Sequence, residues 1–531
     1  MPIPLPHDSR TPPPAGDPVV TSEAPPPRDD PTLGIEVPLA TPDPAPPHRL
    51  VAIGDSLTQG FQSGAIFNTD LSFPAIIAYE LGWYDHFQRP SYAAHGGLPL
   101  NIELLLRELE QRYGADLSWW ETPLALFRIR QFMDEVETYW ERGPGAQPPK
   151  FSAINHNLGV YGWDLRDALA KTYNNCVRRI GQAKDNWLSQ FVQNHGDRAA
   201  LRVLPAYSAR ARQWTVFDAA AALGADGAGA DHGIETLLVF LGSNNALGAV
   251  TELNVAWSED GYDDPQTKSN FTVWRPSHFA TELERVVTKV RSIRARHVIW
   301  CTVPHVTIAP LARGVGGAKV RPGSRYFPYY TRPWISDRDF DVTRDPKITD
   351  DAARAVDSAI DQYNNAIAAA VEAARREGRD WLLFDVAGLL DRLAQRRYIE
   401  DEAARPAWWT QYQLPAQLQA VAPVLDSKFL TAGATGRATG GLFSLDGVHP
   451  TTVGYGILAQ ELISVMRHAG VTFRLPDGTP RPDPVTVDFA RLIQRDTLIA
   501  RPPGNIKSGL GILGWADETV DLFTRALTFR F

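Results

Sequence analysis

The chain has 531 residues, of which 44% are hydrophobic and 21% charged, the composition of an ordinary globular protein. Its net charge of −8 provides no basic field, which argues against nucleic-acid binding. Two cysteines, Cys176 and Cys301, are too few for a disulfide framework, and His, Cys and carboxylates form no cluster at metal-ligand spacing. We therefore expect free thiols and no cofactor.

Proline dominates the beginning of the chain. Sixteen of the 42 prolines precede residue 48, a density that excludes a helix or a central strand. We expect residues 1–47 to form an extended, largely disordered leader, and we favour a passive tail over a ligand for SH3-type grooves. The first residues lack the basic and apolar regions of a secretory signal, and no apolar stretch approaches the ~20 residues that span a bilayer. The sequence thus predicts a soluble, cytoplasmic protein.

From residue 48 onwards, strand and helix patterns alternate. Strands are predicted at 50–53, around 151–154, at 236–241, at 297–303 and at 381–386. Helices are predicted at 73–81, from Asp164 through Cys176, and at 279–293, 350–377 and 453–465. This alternation predicts an α/β fold with a five-stranded parallel sheet and right-handed crossovers.

The remaining chain lies between and beyond these elements. Four stretches, about 100–150, 205–232, 305–345 and 395–440, are interpreted as insertions into a domain over residues 48–470. The first carries apolar residues partly at helical spacing, and we favour packing on the core over a mobile lid or a wall of an acyl pocket. Residues 471–531 are interpreted as a C-terminal extension that adds a strand or a helix to the domain.

Ser56 follows the first predicted strand directly, in the sequence VAIGDSLTQG at 51–60. The carboxyl ends of parallel strands border the ligand crevice of such a sheet, and Gly54 permits a sharp turn there. Ser56 is therefore a candidate nucleophile. Gly-Asp-Ser by itself is also ordinary turn chemistry.

A candidate base and its orienting acid lie near the other end of the chain. Asp446 and His449 stand three residues apart in SLDGVHPTTVGYG at 444–456, just before a helical pattern. A serine hydroxyl needs an imidazole to take its proton, and the imidazole needs a carboxylate to fix its tautomer. Taken alone, the two residues are better explained as a turn residue and a polar residue ahead of the helix start.

Two glycine-containing loops are suited to stabilise a developing oxyanion. Residues 157–162, NLGVYG, offer the Gly162 N–H, and residues 237–246, LLVFLGSNNA, place the Asn244 amide at the end of a predicted strand. Preorganised donors of this kind stabilise the tetrahedral intermediate of acyl transfer. Each loop in isolation is more typical of a plain turn.

Together, GDSL at 54–57, N-x-G-x-x-G at 157–162, G-x-N at 242–244 and D-x-x-H at 446–449 resemble the four blocks of the GDSL (SGNH) hydrolase family, in the same order. The resemblance implies a three-layer α/β/α fold with a flavodoxin-like sheet. It implies Ser56 as nucleophile, His449 as general base and then acid, and Asp446 as its orienter. The implied oxyanion donors are the Ser56 N–H, the Gly162 N–H and Asn244. One departure is Asn245, where the third block usually has Asp.

The resemblance covers roughly residues 49–468 and implies an esterase or lipase that hydrolyses a small-molecule or lipid ester through an acyl-enzyme. Two alternatives remain: an acyltransferase that uses the same residues, and a non-catalytic lipid- or carbohydrate-binding module. The aromatic insertions slightly favour an apolar acyl group. Neither the acyl and alcohol specificity nor the oligomeric state follows from the sequence.

Overall fold

A computed structural model describes residues 17–21, 23–38, 45–92, 94–116, 119–148, 152–182, 192–226, 233–475, 477–506 and 508–509. At its centre is a five-stranded sheet of β1 His48–Gly54, β2 Asn157–Gly159, β3 Ile234–Phe240, β4 Ala295–Cys301 and β5 Trp381–Phe384. The spatial order is β2-β1-β3-β4-β5, and every neighbouring pair is parallel. This strand order is flavodoxin-like. Because all neighbouring strands are parallel, the prediction of a five-stranded parallel sheet is confirmed.

Helices connect and flank the strands. Those of seven residues or more are α1 Phe73–Glu80, α2 Ile102–Tyr113, α3 Thr122–Glu141, α4 Tyr173–Gln182, α5 Val216–Gly224, α6 Pro276–Arg291, α7 Asp350–Arg376, α8 Val386–Leu393, α9 Thr452–His468 and α10 Phe489–Arg495. Shorter α-helices span Ser56–Gln59, Leu165–Ala170, His195–Ala200, Gly248–Thr251, Ala416–Gln419 and Thr497–Ala500. Short antiparallel strands pair Ala65–Ile66 with Leu98–Pro99, Arg313–Val315 with Tyr329–Thr331, Tyr329–Thr331 with Ile348–Thr349, and Thr431–Gly433 with Gly436–Thr439.

The sheet is buried on both faces, which gives three layers. Alternate residues of β1, such as Val51 and Ile53, pack with α5, α6 and α7, whereas Leu50 and Ala52 pack with α1 and α9. Continuous apolar runs in the strands satisfy both faces. The helix α5 lies within the range 205–232 that the sequence suggested to be an insertion. That interpretation is wrong for α5, because its alanine-rich face packs directly against β1 as part of a core layer.

The two predictions around the second strand are also wrong. The strand comprises Asn157–Gly159 and not residues 151–154, because pairing with β1 selects these three residues although Asn and Gly have low strand propensity. Asp164 caps only the helix Leu165–Ala170, and Cys176 lies in the separate helix α4. The chain extends at Lys171, whose buried ammonium lies 3.3 Å from Asp167 and 3.5 Å from Asp197.

The described part of the proline-rich segment is held against the domain. The Leu383 N–H of β5 donates to the Pro31 carbonyl (2.9 Å), and the Arg28 N–H donates to Asp385 Oδ2 (2.7 Å). Arg375 Nε donates to the Ile35 carbonyl at 2.6 Å. The segment thereby covers an edge strand of the sheet. The expectation of disorder is wrong for residues 17–21 and 23–38, whereas residues 1–16, 22 and 39–44 lie outside the described part.

The described part of the C-terminal extension belongs to the same core. Phe473, Val485, Val487, Phe489 and Leu492 are buried in the cluster that contains α1 and α9. The extension thus packs on the domain as a helix-containing segment. Its alternating end, residues 522–531, lies outside the described residues.

Asp496 links this extension to α9 and gives a prediction about stability. Its fully buried carboxyl accepts hydrogen bonds from the Val453 N–H (2.9 Å) and the Leu498 N–H (3.1 Å), and burial raises its pKa to about 7 despite those bonds. Because the folded-state pKa exceeds the unfolded one, the contribution of Asp496 to stability is complete below pH ~4 and is lost as pH rises through 7. Asp496→Asn cannot ionise, so its unfolding free energy should gain about 4 kcal/mol relative to the unmodified protein between pH 4 and 8.

Chemical denaturation at pH 4, 6 and 8 measures this difference. Asp488→Asn, which makes the same substitution at the half-buried N-cap of α10, is the matched control. A difference between Asp496→Asn and the unmodified protein that stays constant with pH would contradict the expectation.

Candidate active site

Ser56 is placed by the end of β1. A Cβ at Gly54 would collide with the Thr58 side chain, so only glycine lets the chain turn this tightly. Asp55 Oδ1 accepts a hydrogen bond from the Leu57 N–H at 3.0 Å and thereby caps the short helix that begins at Ser56. Ser56 thus lies at the carboxyl edge of the sheet, at the point between β1 and β3 where the strand order reverses.

The structure brings Ser56, His449 and Asp446 into one hydrogen-bonded chain. Ser56 Oγ lies 2.9 Å from His449 Nε2, and His449 Nδ1 lies 3.1 Å from Asp446 Oδ2. Ser56 and His449 are 393 positions apart in sequence. All three side chains are buried, and the Phe61 ring packs on the imidazole with 4.6 Å between ring centroids.

Asp446 is held as a carboxylate. Its Oδ1 accepts the N–H groups of Val448 (2.9 Å) and His449 (2.8 Å), and its Oδ2 accepts the Gly64 N–H (3.0 Å). Burial acts to raise the pKa of Asp446, but its interaction with the facing His449 side chain and these hydrogen bonds outweigh burial, so the pKa lies below its ordinary value. An ionised carboxylate only accepts hydrogen bonds, so Nδ1 carries the imidazole proton and Nε2 is left to accept the Ser56 O–H.

Residues that the sequence did not single out hold the two loops together. The Ser63 N–H donates to Ser444 Oγ (2.9 Å), and the Leu445 N–H donates back to Ser63 Oγ (3.3 Å). Together with the Gly64 N–H on Asp446, these bonds fix the loop after β1 against the Asp446 loop. The local sequence does not predict this pairing of the two loops, because each partner by itself is an ordinary turn residue.

Asp55 is a second residue that sequence reasoning treated only as part of a turn. Its side chain is fully buried, and Oδ2 has no hydrogen-bond partner among the described residues. Burial raises the pKa of Asp55 to about 6, against the opposing effects of the Leu57 N–H, the His449 charge and the Ser243 hydroxyl. The site therefore contains a second buried carboxyl beside the chain of Ser56, His449 and Asp446.

The Gly162 and Asn244 loops flank Ser56 on either side. They follow β2 and β3, the two neighbours of β1, and Asn244 Nδ2 joins them by donating to the Trp163 carbonyl at 2.9 Å. Within the described part of the chain, the Ser56 N–H, the Gly162 N–H and the second amide N–H of Asn244 make no hydrogen bond. Gly162 has a φ of 74°, a backbone conformation that favours glycine. Three unpaired donors thus lie in the three loops at this edge of the sheet.

Asn245 stands where the resemblance would place Asp. Its buried side chain has no hydrogen-bond partner among the described residues. The turn is held by backbone bonds, because the Asn245 N–H donates to the Gly242 carbonyl (3.1 Å) and the Trp274 N–H donates to the Asn245 carbonyl (2.8 Å). The departure at this position therefore leaves the turn that carries Asn244 well supported.

An apolar cavity of about 110 Å³ opens at Ser56 and His449 and runs between α8 and α9. Its apolar lining includes Leu57, Leu247, Pro304, Val306, Ala309, Val386, Leu389, Leu390, Leu393, Leu442, Phe443, Val448, Pro450, Ile457 and Leu458. Of the described residues, Gly162 and Asn244 do not line it. Ser243, the neighbour of Asn244, does line it, and we refer to this space as the acyl cavity, after the role proposed for it below.

The first insertion packs beside the site. Ile129, Phe132 and Val136 of α3 are buried in a cluster with Phe61 and Leu445, as the favoured interpretation predicted. Of the described residues, none from α2 or α3 lines the acyl cavity. Three apolar side chains at or just before the start of α3, Trp120, Leu124 and Phe127, are 60%, 58% and 70% exposed.

Comparison of the chain with protein-family models, with curated proteins and with solved structures found no match. Both cysteines are free thiols, and both are buried. Among the described residues, no group of three or more His, Cys, Asp or Glu side chains is arranged to hold a metal ion, and no helix combines the length and apolar character needed to cross a membrane.

Proposed function

We propose that the protein is a serine hydrolase of the GDSL (SGNH) type that cleaves carboxylic esters through an acyl-enzyme. The observation that carries the proposal is the buried chain from Ser56 Oγ through the His449 imidazole to Asp446, beside an apolar cavity. A binding module has no use for a serine hydrogen-bonded to an imidazole whose tautomer is fixed by a carboxylate.

In this mechanism His449 Nε2 removes the Ser56 proton as the hydroxyl oxygen attacks the ester carbonyl. The negative charge on the carbonyl oxygen is stabilised by the unpaired N–H groups of Ser56, Gly162 and Asn244. His449, now charged and facing the Asp446 carboxylate, donates its proton to the leaving alcohol. Water then attacks the acyl-enzyme with His449 again as the base, which releases the acid and restores the free serine.

The acyl cavity favours esters with an apolar acyl group. Its wall beyond Ser56 and His449 consists mainly of aliphatic side chains from α8, α9 and the segment after β4. Burial of apolar surface contributes roughly 25 cal/mol per Å², so a chain that enters this cavity gains binding energy that an acetyl group lacks. We therefore propose small-molecule or lipid esters with an aliphatic acyl chain as the substrate class.

Labelling with a fluorophosphonate tests the proposal, because this reagent phosphonylates only a serine activated by a base. We expect stoichiometric labelling of the folded protein, with the modification located at Ser56 by peptide mass spectrometry. Ser243→Ala is the matched control, since Ser243 lines the same cavity but is not bonded to His449. Labelling that survives in Ser56→Ala, or that is absent from the folded protein, would refute the assignment.

A further inference from the structure

A second cavity, of about 250 Å³, lies next to the acyl cavity and is built by two of the insertions. Its wall includes Arg325, from the stretch between the strands Arg313–Val315 and Tyr329–Thr331, and Arg396, from a π-helical turn at Gln395–Ile399. Arg313, Arg397 and Lys428 also line it. Cationic side chains therefore surround a space that is far larger than the ~10–15 Å³ that one water molecule needs.

The Arg325 side chain is the unusual member of this wall. It is only 6% exposed, yet Nε, Nη1 and Nη2 all lack a hydrogen-bond partner among the described residues. A guanidinium carries five N–H donors and stays charged, so burying it without partners is costly. The Tyr398 hydroxyl, which is buried and likewise has no partner of good hydrogen-bond geometry among the described residues, interacts electrostatically with Arg325.

The carboxylates near Arg325 are already hydrogen-bonded or ion-paired with other groups. Asp357 accepts from the Thr307 hydroxyl (2.6 Å) and the Tyr326 hydroxyl (3.1 Å), and its Oδ2 lies 3.0 Å from Arg397 Nη2. The two nitrogens of His305 lie 2.9 Å from Asp361 Oδ1 and 3.2 Å from Asp391 Oδ2. These carboxylates compensate the charge of Arg325 at a distance, but none of them bonds to it.

Arg396 adds a further cation with unused donors. Its Nη1 is buried and has no hydrogen-bond partner in the described part of the chain, and its guanidinium lies over the Phe327 ring at 4.7 Å. Arg313 and Lys428, in contrast, are paired with Asp337 and Glu400. Arg325 and Arg396, each with unused donors, thus line one cavity, the arrangement that carboxylate and phosphate oxygens match best.

We propose that this second cavity is an anion-binding site that holds the carboxylate or phosphate group of a small ligand through Arg325 and Arg396. The anion completes the hydrogen bonding of Arg325 and neutralises the excess charge that Arg396 brings. Ser427 lines both cavities, so the anion site and the acyl cavity share a wall. The site does not depend on the proposed hydrolase activity.

Isothermal titration calorimetry of the full chain with inorganic phosphate and with succinate tests the site. We expect saturable binding of at least one of the two anions, with one site per chain. Arg396→Met should weaken it at least tenfold, and Arg325→Met should abolish it. Arg376→Met, which removes an exposed guanidinium paired with Glu372, is the charge-matched control and should bind as the unmodified protein does.

Two outcomes would overturn the site: no saturable binding of either anion, or equal binding by Arg396→Met and the unmodified protein. If Arg325→Met does not fold, Arg396→Met still decides, because its half-buried side chain tolerates replacement, and Arg325→Lys should bind more weakly because an ammonium lacks the planar fork. Weaker anion binding by Arg396→Met is the result that a purely structural role of Arg396 would not produce.

Two further measurements distinguish an anion that is part of the ester substrate from an anion that is a separate ligand. A positive result in either measurement supports the site. If the anion belongs to the ester, kcat/KM for a carboxylate-terminated p-nitrophenyl ester should exceed that for its methyl-terminated analogue, and Arg396→Met should remove the preference. If the anion is a separate ligand, phosphate should bind equally well after fluorophosphonate labelling of Ser56. Absence of hydrolysis with intact phosphate binding would refute the proposed function and leave the anion site standing.

Discussion

Replacing Ser56 with alanine is expected to lower kcat for a p-nitrophenyl ester by about 10⁴–10⁶-fold, because no other group can form the acyl-enzyme. The expectation follows from the 2.9 Å contact between Ser56 Oγ and His449 Nε2, which leaves the imidazole without a nucleophile to activate once the hydroxyl is gone. Stopped-flow or steady-state release of p-nitrophenol measures the loss.

Ser243→Ala provides the control for this experiment, since its hydroxyl lies in the same cavity and outside the hydrogen-bonded chain. It should retain kcat within about threefold, in keeping with a contact that does not change in the transition state. Thermal denaturation of both variants checks that the fold is intact. Activity of Ser56→Ala comparable to that of Ser243→Ala would exclude Ser56 as the nucleophile.

The second large effect is expected at Asn244. Removal of one preorganised oxyanion donor costs about 2.7–4 kcal/mol, so Asn244→Ala should lower kcat by about 10²–10³-fold. KM should change little, because the donor acts on charge that develops only in the transition state. The second amide N–H of Asn244, which has no partner among the described residues, is the group whose loss we expect to matter.

Asn245→Ala is the matched control at the neighbouring position, because that side chain makes no hydrogen bond within the described part of the chain. Its kcat should stay within about threefold of the unmodified value, as expected for a group that does not contact the reacting atoms. Equal losses in the two variants would indicate disruption of the loop, and an unchanged kcat in Asn244→Ala would show that the oxyanion is stabilised by other donors.

The candidate site shows which features of a site local sequence can predict. Ser56, Asp446, His449, Gly162 and Asn244 could all be proposed from the sequence, because each lies in a short motif with a turn residue beside it. The structure joins the first three by hydrogen bonds and places the other two in loops on either side of Ser56. Their chemical roles stay predictions until the variants are measured.

The elements with strong local signals were also predictable. The helix α7 carries apolar residues at helical spacing, a capping Thr349, acidic residues in its first turn and arginines in its last, so its bounds agree with the predicted ones. The strands β1, β3 and β4 each contain a run of four apolar residues, at 50–53, 237–240 and 298–301. In contrast, β2 is three residues long and contains Asn and Gly, so only its pairing with β1 makes it a strand.

The amino-acid sequence by itself thus determined the alternation of strands and helices and the short motifs around Ser56, Gly162, Asn244 and His449, because periodicity and turn chemistry act over a few residues. Only the tertiary structure decided that Gly64 and Ser444 tie the two ends of the site together, that residues 23–38 cover an edge strand, and that Arg325 is buried without a bonded partner among the described residues. These features depend on contacts between segments hundreds of residues apart, and such contacts arise from the packing of the whole chain.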